Sequence, residues 1–260
     1  MKKYFIVSDV HGFYDELIRA LEEKGFDKNN PEHIFVSCGD LLDRGNKPID
    51  CLKFVNALPK KRKILIRGNH EDLLEECLVR EIFKSYDYSN GTMDTVLWLS
   101  ASNFANQSQT VGENFESAKA NPLYQKYVKS LRDYAEVGNY VFVHGWIPCL
   151  NTGTRYDGEP RYDYKEDWKS GDWSEARWVN GMLAWYDDVR VADKTVVCGH
   201  WHTSFGHSKY HNDGVEFPNM RSTNPEHRRA NFEPFIDDGI IALDGCVPFT
   251  HKVNCVVLEI

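Results

Sequence analysis

The 260-residue sequence predicts an α/β fold, and three observations carry that expectation. Its first seventy residues alternate short β-branched or aromatic runs with helical patterns, each run closes on Gly or Asp, and comparable runs recur towards the C-terminus. Tyr4 to Val7 reads as the first strand and ends in Asp9-Val10-His11-Gly12. Tyr14, Leu17, Ile18 and Leu21 then follow the i, i+3, i+4, i+7 spacing of a helix with one apolar face. Ile34 to Val36 is the second strand, closing in Gly39-Asp40-Leu41-Leu42-Asp43-Arg44-Gly45. Cys51, Phe54, Val55 and Leu58 form the next helical stripe, and Ile64 to Ile66 leads into Gly68-Asn69-His70-Glu71. In a β-α-β-α-β arrangement parallel strands release their loops at one edge, where ligands bind. Asp9, His11, Asp40, Asn69 and His70 are therefore expected to converge, and a metal site is the first hypothesis. A single Asp-x-His after a strand would read as a turn with a capping Asp. The repetition at successive strand ends is what points to chemistry.

Composition narrows the class. With 42% apolar residues and no long flexible linker, the chain is expected to form a single domain over 1–260. The N-terminal apolar run stops at Asp9, too short for a secretory core, and no stretch approaches the roughly 18 apolar residues of a membrane span. Seven scattered cysteines without a C-x-x-C pair, with Cys38, Cys198 and Cys255 inside apolar runs, read as reduced core residues. The expectation is a cytoplasmic protein without a membrane partner. A formal charge of −8 argues against nonspecific nucleic-acid binding, while leaving room for a local basic pocket.

Two further strands end in histidine: Tyr140 to Val143 before His144-Gly145, and Thr195 to Cys198 before Gly199-His200-Trp201-His202. The order D-x-H-G, G-D-x-x-D-R-G, G-N-H-E, H-G, G-H resembles the PPP branch of the calcineurin-like metallophosphoesterases over nearly the whole chain. The resemblance implies a β-sandwich flanked by helices, with a two-metal centre where strand ends meet. It makes Asp9, His11 and Asp40 ligands of one ion, and Asp40, Asn69, His144 and His200 ligands of the other, with Asp40 bridging. His202 fits the G-H-x-H ending of the wider superfamily and is a further candidate ligand. His70 is similar to the general acid of that family, with Asp43 orienting its ring, and Arg44 and Arg67 to the clamps on the phosphoryl oxygens. Phosphoryl transfer gathers negative charge on equatorial and leaving oxygens, which cations, a guanidinium and a placed proton donor can meet. The nucleophile implied is a hydroxide generated at the ions. Imidazole ligands favour manganese or an iron–manganese pair over magnesium.

Six of the seven tryptophans fall within residues 146–201. Segment 146–193 is expected to be a helical or looped insertion, either a cap over the site or a packed elaboration with Trp168, Trp173, Trp178 and Trp185 as anchors. Within it Arg177 resembles a further phosphate-binding arginine of bacterial PPP enzymes. Trp201, beside a candidate ligand, is the expected substrate contact. Segment 206–238 lacks periodicity and reads as a long loop or β-excursion, with His207, His211, His227, Arg228 and Arg229 as solvated loop residues. The strand Ile240 to Leu243 presents Asp244, which resembles a family position that orients a ligand histidine, and Val253 to Leu258 closes the sheet.

Substrate readings divide. The intact D-R-G with Asp43 resembles the protein-phosphatase side, and Gly199-His200-Trp201 the tetraphosphatase side. The expectation is a phosphomonoesterase of the serine/threonine protein phosphatase type acting on a phosphoprotein or small phosphoester. The alternative is a symmetrical dinucleoside tetraphosphate hydrolase. A non-catalytic binding module on this fold is disfavoured because every ligand position is filled, and a nuclease by the D-R-G arginine and the net acidity.

Overall fold

The computed structural model describes residues 1–101, 110–217 and 229–260. Strand β1 (Lys3–Val7), helix α1 (Tyr14–Glu23), β2 (His33–Ser37), α2 (Pro48–Ala57) and β3 (Lys63–Leu65) build the expected repeating unit. A helical stretch follows: α3 (Asn69–Arg80), α4 (Ser85–Asn90), α5 (Thr92–Ala101), α6 (Val111–Lys119) and α7 (Pro122–Val128). Then come β4 (Ala135–Val137), β5 (Tyr140–Phe142), β6 (Leu150–Thr154), β7 (Pro160–Asp163), α8 (Trp173–Ala176), α9 (Gly181–Tyr186) and β8 (Thr195–Cys198). The chain ends with α10 (Ser204–Tyr210), β9 (Phe235–Asp237), β10 (Ile240–Ala242), α11 (Val247–Thr250) and β11 (Cys255–Glu259).

Two sheets form, ordered β11-β1-β2-β3 and β4-β5-β8-β10-β9, beside a separate β6-β7 hairpin. β1, β2 and β3 run parallel, as do β5, β8 and β10, while β11, β4 and β9 pair antiparallel with them. Period-two alternation explains why these strands read as unbroken apolar runs: both faces are covered. Tyr4, Ile6, Ile34, Val36 and Ile66 face Phe142, Val197, Ile241 and Leu243 between the sheets. Phe5, Val7 and Phe35 point outward onto Leu17, Leu21, Cys51, Leu52 and Val55 of α1 and α2. On the far side Val196, Cys198, Ile240 and Ala242 pack against Trp146, Trp168, Met182, Leu183, Trp185 and Phe205. The sandwich with flanking helices is thus present, and every parallel strand releases its following loop at one edge.

Trp146 and Trp185 are buried anchors whose indoles donate to the Val189 and Asp238 carbonyls, at 3.0 and 2.8 Å. All seven cysteines are free, and all but Cys149 are buried. Segment 206–238, expected as a long loop or β-excursion, differs at its start and carries β9 (Phe235–Asp237) near its end. Its start belongs to α10, whose Ser204, Phe205, Gly206 and His207 are buried. Small residues there let the helix approach Met182 and Phe235 closely, and this hides its apolar stripe. His207 is accordingly buried, its Nε2 donating to the Glu233 carbonyl at 3.1 Å, and His211 pairs with Asp237 at 2.9 Å. His227 and Arg228 lie outside the described residues.

Candidate dimetal centre

Backbone strain marks the site before any side chain is considered. Asp9, His11, Asp40, Asp43, Arg44 and His200 all adopt left-handed φ between 50° and 68°. Non-glycine residues hold that region only where their surroundings over-determine it. Here the loops are laced together: His11 N–H donates to the Asp40 carbonyl (2.9 Å), Gly12 N–H to that of Leu41 (2.8 Å) and Gly45 N–H to that of His11 (2.8 Å). At Gly39, with φ of 95°, a Cβ would come within 2.4 Å of His144 Nδ1, and at Gly199 within 1.9 Å of Ser8 Oγ. Neither position has space for a side chain.

The buried carboxylate of Glu71 is the main fastening. Its Oε2 accepts from Gly68 N–H (2.8 Å) and Asp40 N–H (3.0 Å), and its Oε1 from Leu41 N–H (3.0 Å) and the Tyr127 hydroxyl (2.9 Å). Glu71→Gln replaces one acceptor oxygen with a donor amide against donors. At about 1–3 kcal/mol for each buried donor left unpaired, the variant is expected to lose roughly 2–4 kcal/mol of stability. Urea unfolding checks this, and a change below about 0.5 kcal/mol would show that Glu71 does not hold the loops.

Three imidazoles are pinned from outside and bare towards the centre. His11 Nδ1–H donates to the Leu42 carbonyl at 3.1 Å, His144 Nδ1–H to that of Cys38 at 2.8 Å, and the His200 ring to that of Trp178. In this tautomer the inward nitrogens are acceptors facing acceptors. His11 Nε2 lies 3.7 Å from Asp40 Oδ2 and 4.0 Å from Asp9 Oδ1. His144 Nε2 lies 3.4 Å from Asp40 Oδ1 and 2.8 Å from Asn69 Oδ1, and His200 Nδ1 lies 3.0 Å from the same Asn69 oxygen. Such a ring of converging lone pairs suits cations held from several sides. Two sets of donor atoms lie within 4.8 Å of one another, His11 with Asp40 and His70, and Asp40 with His144 and His200. Asp40 is common to both.

Electrostatics agree. Burial and the neighbouring His144 push His200 down to about 3, and burial with Arg44 and His70 takes His11 well below its ordinary value, so both rings are neutral at pH 7. Burial works against ionised Asp40, but the positive charge that His144, His70, His11 and His200 carry when protonated outweighs it, so the carboxyl lies well below its usual range. Burial, Asp244 and Asp40 drive Asp9 well up. The donor set fits a pair of divalent ions.

His70 stands beside this set. Its Nδ1 pairs with Asp43 Oδ2 at 2.8 Å, and its Nε2 lies 3.0 Å from Arg44 Nη2. Asp43 is fully buried and also accepts from the Thr92 hydroxyl (2.8 Å) and the Thr95 hydroxyl (2.7 Å). No local pattern marked these two α5 threonines, which act across some fifty residues of chain.

Other expected residues lie differently. Arg67 binds Asp72 (3.2 Å) and Glu75 (2.5 Å), and Arg177 binds Asp72 (2.7 Å) and Asp133, so both guanidiniums are engaged away from the donor set. His202 Nδ1 pairs with Ser204 Oγ at 2.9 Å and sits beside Asp244, outside the two donor groups. Asp244 accepts from Cys246 N–H at 2.7 Å. Trp201 is half-buried and packs on Phe205 against the core of the second sheet. A cavity of about 130 Å³ is bounded by His11, Asp40, Arg44, Asn69, His70 and Trp178. The aromatic wall there is Trp178, 51% exposed and edge-on to the His200 ring at 5.7 Å. Trp178 also lines a neighbouring groove of about 520 Å³, with Asn151, Tyr162 and Glu175.

The family model of calcineurin-like phosphoesterases matches residues 2–217. A symmetrical bis(5'-nucleosyl)-tetraphosphatase of Pasteurella multocida is 43% identical over 67 residues, 26% of this chain and 23% of that protein. The asymmetrical bis(5'-nucleosyl)-tetraphosphatase PrpE of Bacillus velezensis is 29% identical over 157 residues, 58% of this chain and 59% of that protein. The matches thus span about a quarter of the first relative's length and under two thirds of the second's. Among solved structures, the cold-active protein-tyrosine phosphatase of a psychrophilic Shewanella aligns over 100% of this chain and 76% of that one. Its TM-score is 0.52 at 15% identity, a likeness of fold.

Proposed function

The chain belongs to the calcineurin-like phosphoesterase family, and from that premise we propose that it is a metal-dependent hydrolase of dinucleoside polyphosphates. The observation that carries the substrate class is Trp178, whose half-exposed indole stands between the small cavity at the donor set and the larger groove. A purine can stack there while its phosphate chain reaches the donor set. The names of the relatives support the same class, and so favour the tetraphosphatase reading over the protein-phosphatase one.

Asp9, His11 and Asp40 would hold one ion, and Asp40, Asn69, His144 and His200 the other, manganese or iron suiting the imidazoles. When bound, the ions supply charge that stabilises the phosphoryl group and a nucleophile at neutral pH. His70 donates a proton from Nε2 to the leaving oxygen, with Asp43 accepting from Nδ1–H and fixing the ring. Arg44, now 3.0 Å from that Nε2, turns its guanidinium to the phosphoryl oxygens.

The buried Asp43–His70 pair favours a second reading, a phosphomonoesterase of the serine/threonine phosphatase type. Turnover of diadenosine tetraphosphate, a phosphoserine peptide and an aryl phosphate separates the two. Trp178→Leu is expected to lower kcat/KM for diadenosine tetraphosphate about tenfold or more, stacking being worth roughly 1–3 kcal/mol per base, and to leave the aryl phosphate unchanged. Equal losses on both would remove the stacking role. Preferred turnover of the phosphopeptide would install the second reading.

A further inference from the structure

Away from the donor set, the run Lys60-Lys61-Arg62-Lys63 leads into β3, the edge strand of the first sheet. Arg62 is buried, donating to the His33, Lys28 and Asp27 carbonyls. Lys60 and Lys63 instead line a cavity of about 480 Å³ whose other walls are Leu65, Lys129, Arg132 and Tyr134. Among the described residues four basic side chains and no carboxylate line it; the Lys63 ammonium donates to the Val55 carbonyl, and the charged groups of Lys60, Lys129 and Arg132 are left for the pocket. Elsewhere in this acidic chain Lys3, Lys47, Lys119, Lys194 and Lys252 each face a carboxylate within 3.3 Å. Among the described residues, Lys60, Lys129 and Arg132 have no side-chain ion pair. Burial, reinforced by nearby Lys126, lowers the pKa of Lys63, as expected where positive charge is uncompensated.

Like charges gathered in a concavity repel one another and attract a compact anion. The volume lies within the range of small-ligand sites. Leu65 and Leu131 give part of the wall an apolar surface, and Tyr134 is fixed by stacking on Trp173 at 5.0 Å. The strongly acidic remainder of the chain disfavours an extended nucleic acid, whose backbone would have to cross it.

We propose that this pocket binds a small oligophosphate, through Lys60, Lys129 and Arg132, at a site separate from the catalytic cavity. The binding does not depend on which phosphoester the enzyme hydrolyses.

The test is calorimetric titration of the metal-loaded protein with inorganic tripolyphosphate at low ionic strength, alongside turnover of an aryl phosphate. Lys129→Ala/Arg132→Ala is expected to weaken one class of tripolyphosphate sites about tenfold or more and to leave aryl phosphate turnover unchanged. Both side chains are exposed, and Lys129→Gln/Arg132→Gln provides a second pair should the first lose its fold. Lys61→Ala, outside the pocket wall, should bind as the parent does. Three results would overturn the proposal: unchanged affinity in both double variants, an equal loss in Lys61→Ala, or binding that disappears only with Asp40→Asn. Binding of a short single-stranded RNA without binding of tripolyphosphate would overturn it as well.

Discussion

Asp40→Asn is expected to strip both ions and to lower kcat/KM by about 10³-fold or more, several kcal/mol of transition-state stabilisation at 1.4 kcal/mol per tenfold. The reason is its position. Asp40 belongs to both donor groups, with one oxygen 3.4 Å from His144 Nε2 and the other 3.7 Å from His11 Nε2. Asparagine keeps the shape and one acceptor, so the His70 N–H that now donates to Oδ1 at 3.0 Å retains a partner and the loop keeps its course. Metal content per chain, measured by elemental analysis beside the rate, separates a lost ligand from a lost fold. A chelator should bring the parent protein to the same rate as the variant. Normal metal content with a normal rate in Asp40→Asn would exclude a bridging role.

His70→Asn should separate acid catalysis from metal binding. Positioned acids contribute ~10²- to 10⁴-fold, so hydrolysis of an alkyl phosphate, whose leaving group needs the proton, should fall by that factor. An activated aryl phosphate should lose much less. Burial opposes the charged ring, but Asp40 and Asp43 outweigh it and raise the pKa of His70 above its ordinary value, which keeps a proton available. Because His70 also falls within 4.8 Å of His11 and Asp40 donor atoms, metal content is the deciding second readout. Two ions retained with a leaving-group-dependent loss assigns the acid. One ion lost with equal losses on both substrates makes His70 a ligand instead.

The donor set was legible in sequence because each of its turns directly follows a strand. Asp9, His11, Asp40, Asn69 and His70 follow three apolar runs spaced as β-α-β-α-β, which brings their loops to one edge, while the ligand roles of His144 and His200 come from the resemblance of the motif order. What escaped depends on contacts between distant segments. Thr92 and Thr95 reach Asp43 from a helix whose approach no periodicity announces. Glu71 stands in the G-N-H-E motif, yet its work on the amides of Asp40 and Leu41 shows only when the second and third loops are side by side. Trp201 adjoins the candidate ligand His200 in sequence, which is why it reads as the substrate contact. His200 holds a left-handed φ of 66°, so the chain turns sharply there, and Trp201 packs on Phe205 while the aromatic residue lining the cavity, Trp178, follows α8. Arg177 reads in sequence as a further phosphate-binding arginine, whereas in the structure its guanidinium pairs with Asp72 and Asp133, partners 105 and 44 residues away.

Position 178 joins two duties that differ in their tolerance of change. Its main-chain carbonyl steadies the His200 ring, whereas its side chain alone meets the cavity and the groove. The side chain can therefore be exchanged to admit a different leaving group while the backbone stays as it is. A deletion or insertion in the same turn would carry the carbonyl away and tilt the imidazole. Substitutions at position 178 and length changes in the β6–β7 hairpin, which lines the larger groove through Asn151 and Tyr162, are accordingly expected to alter substrate range while leaving the His200 ring held.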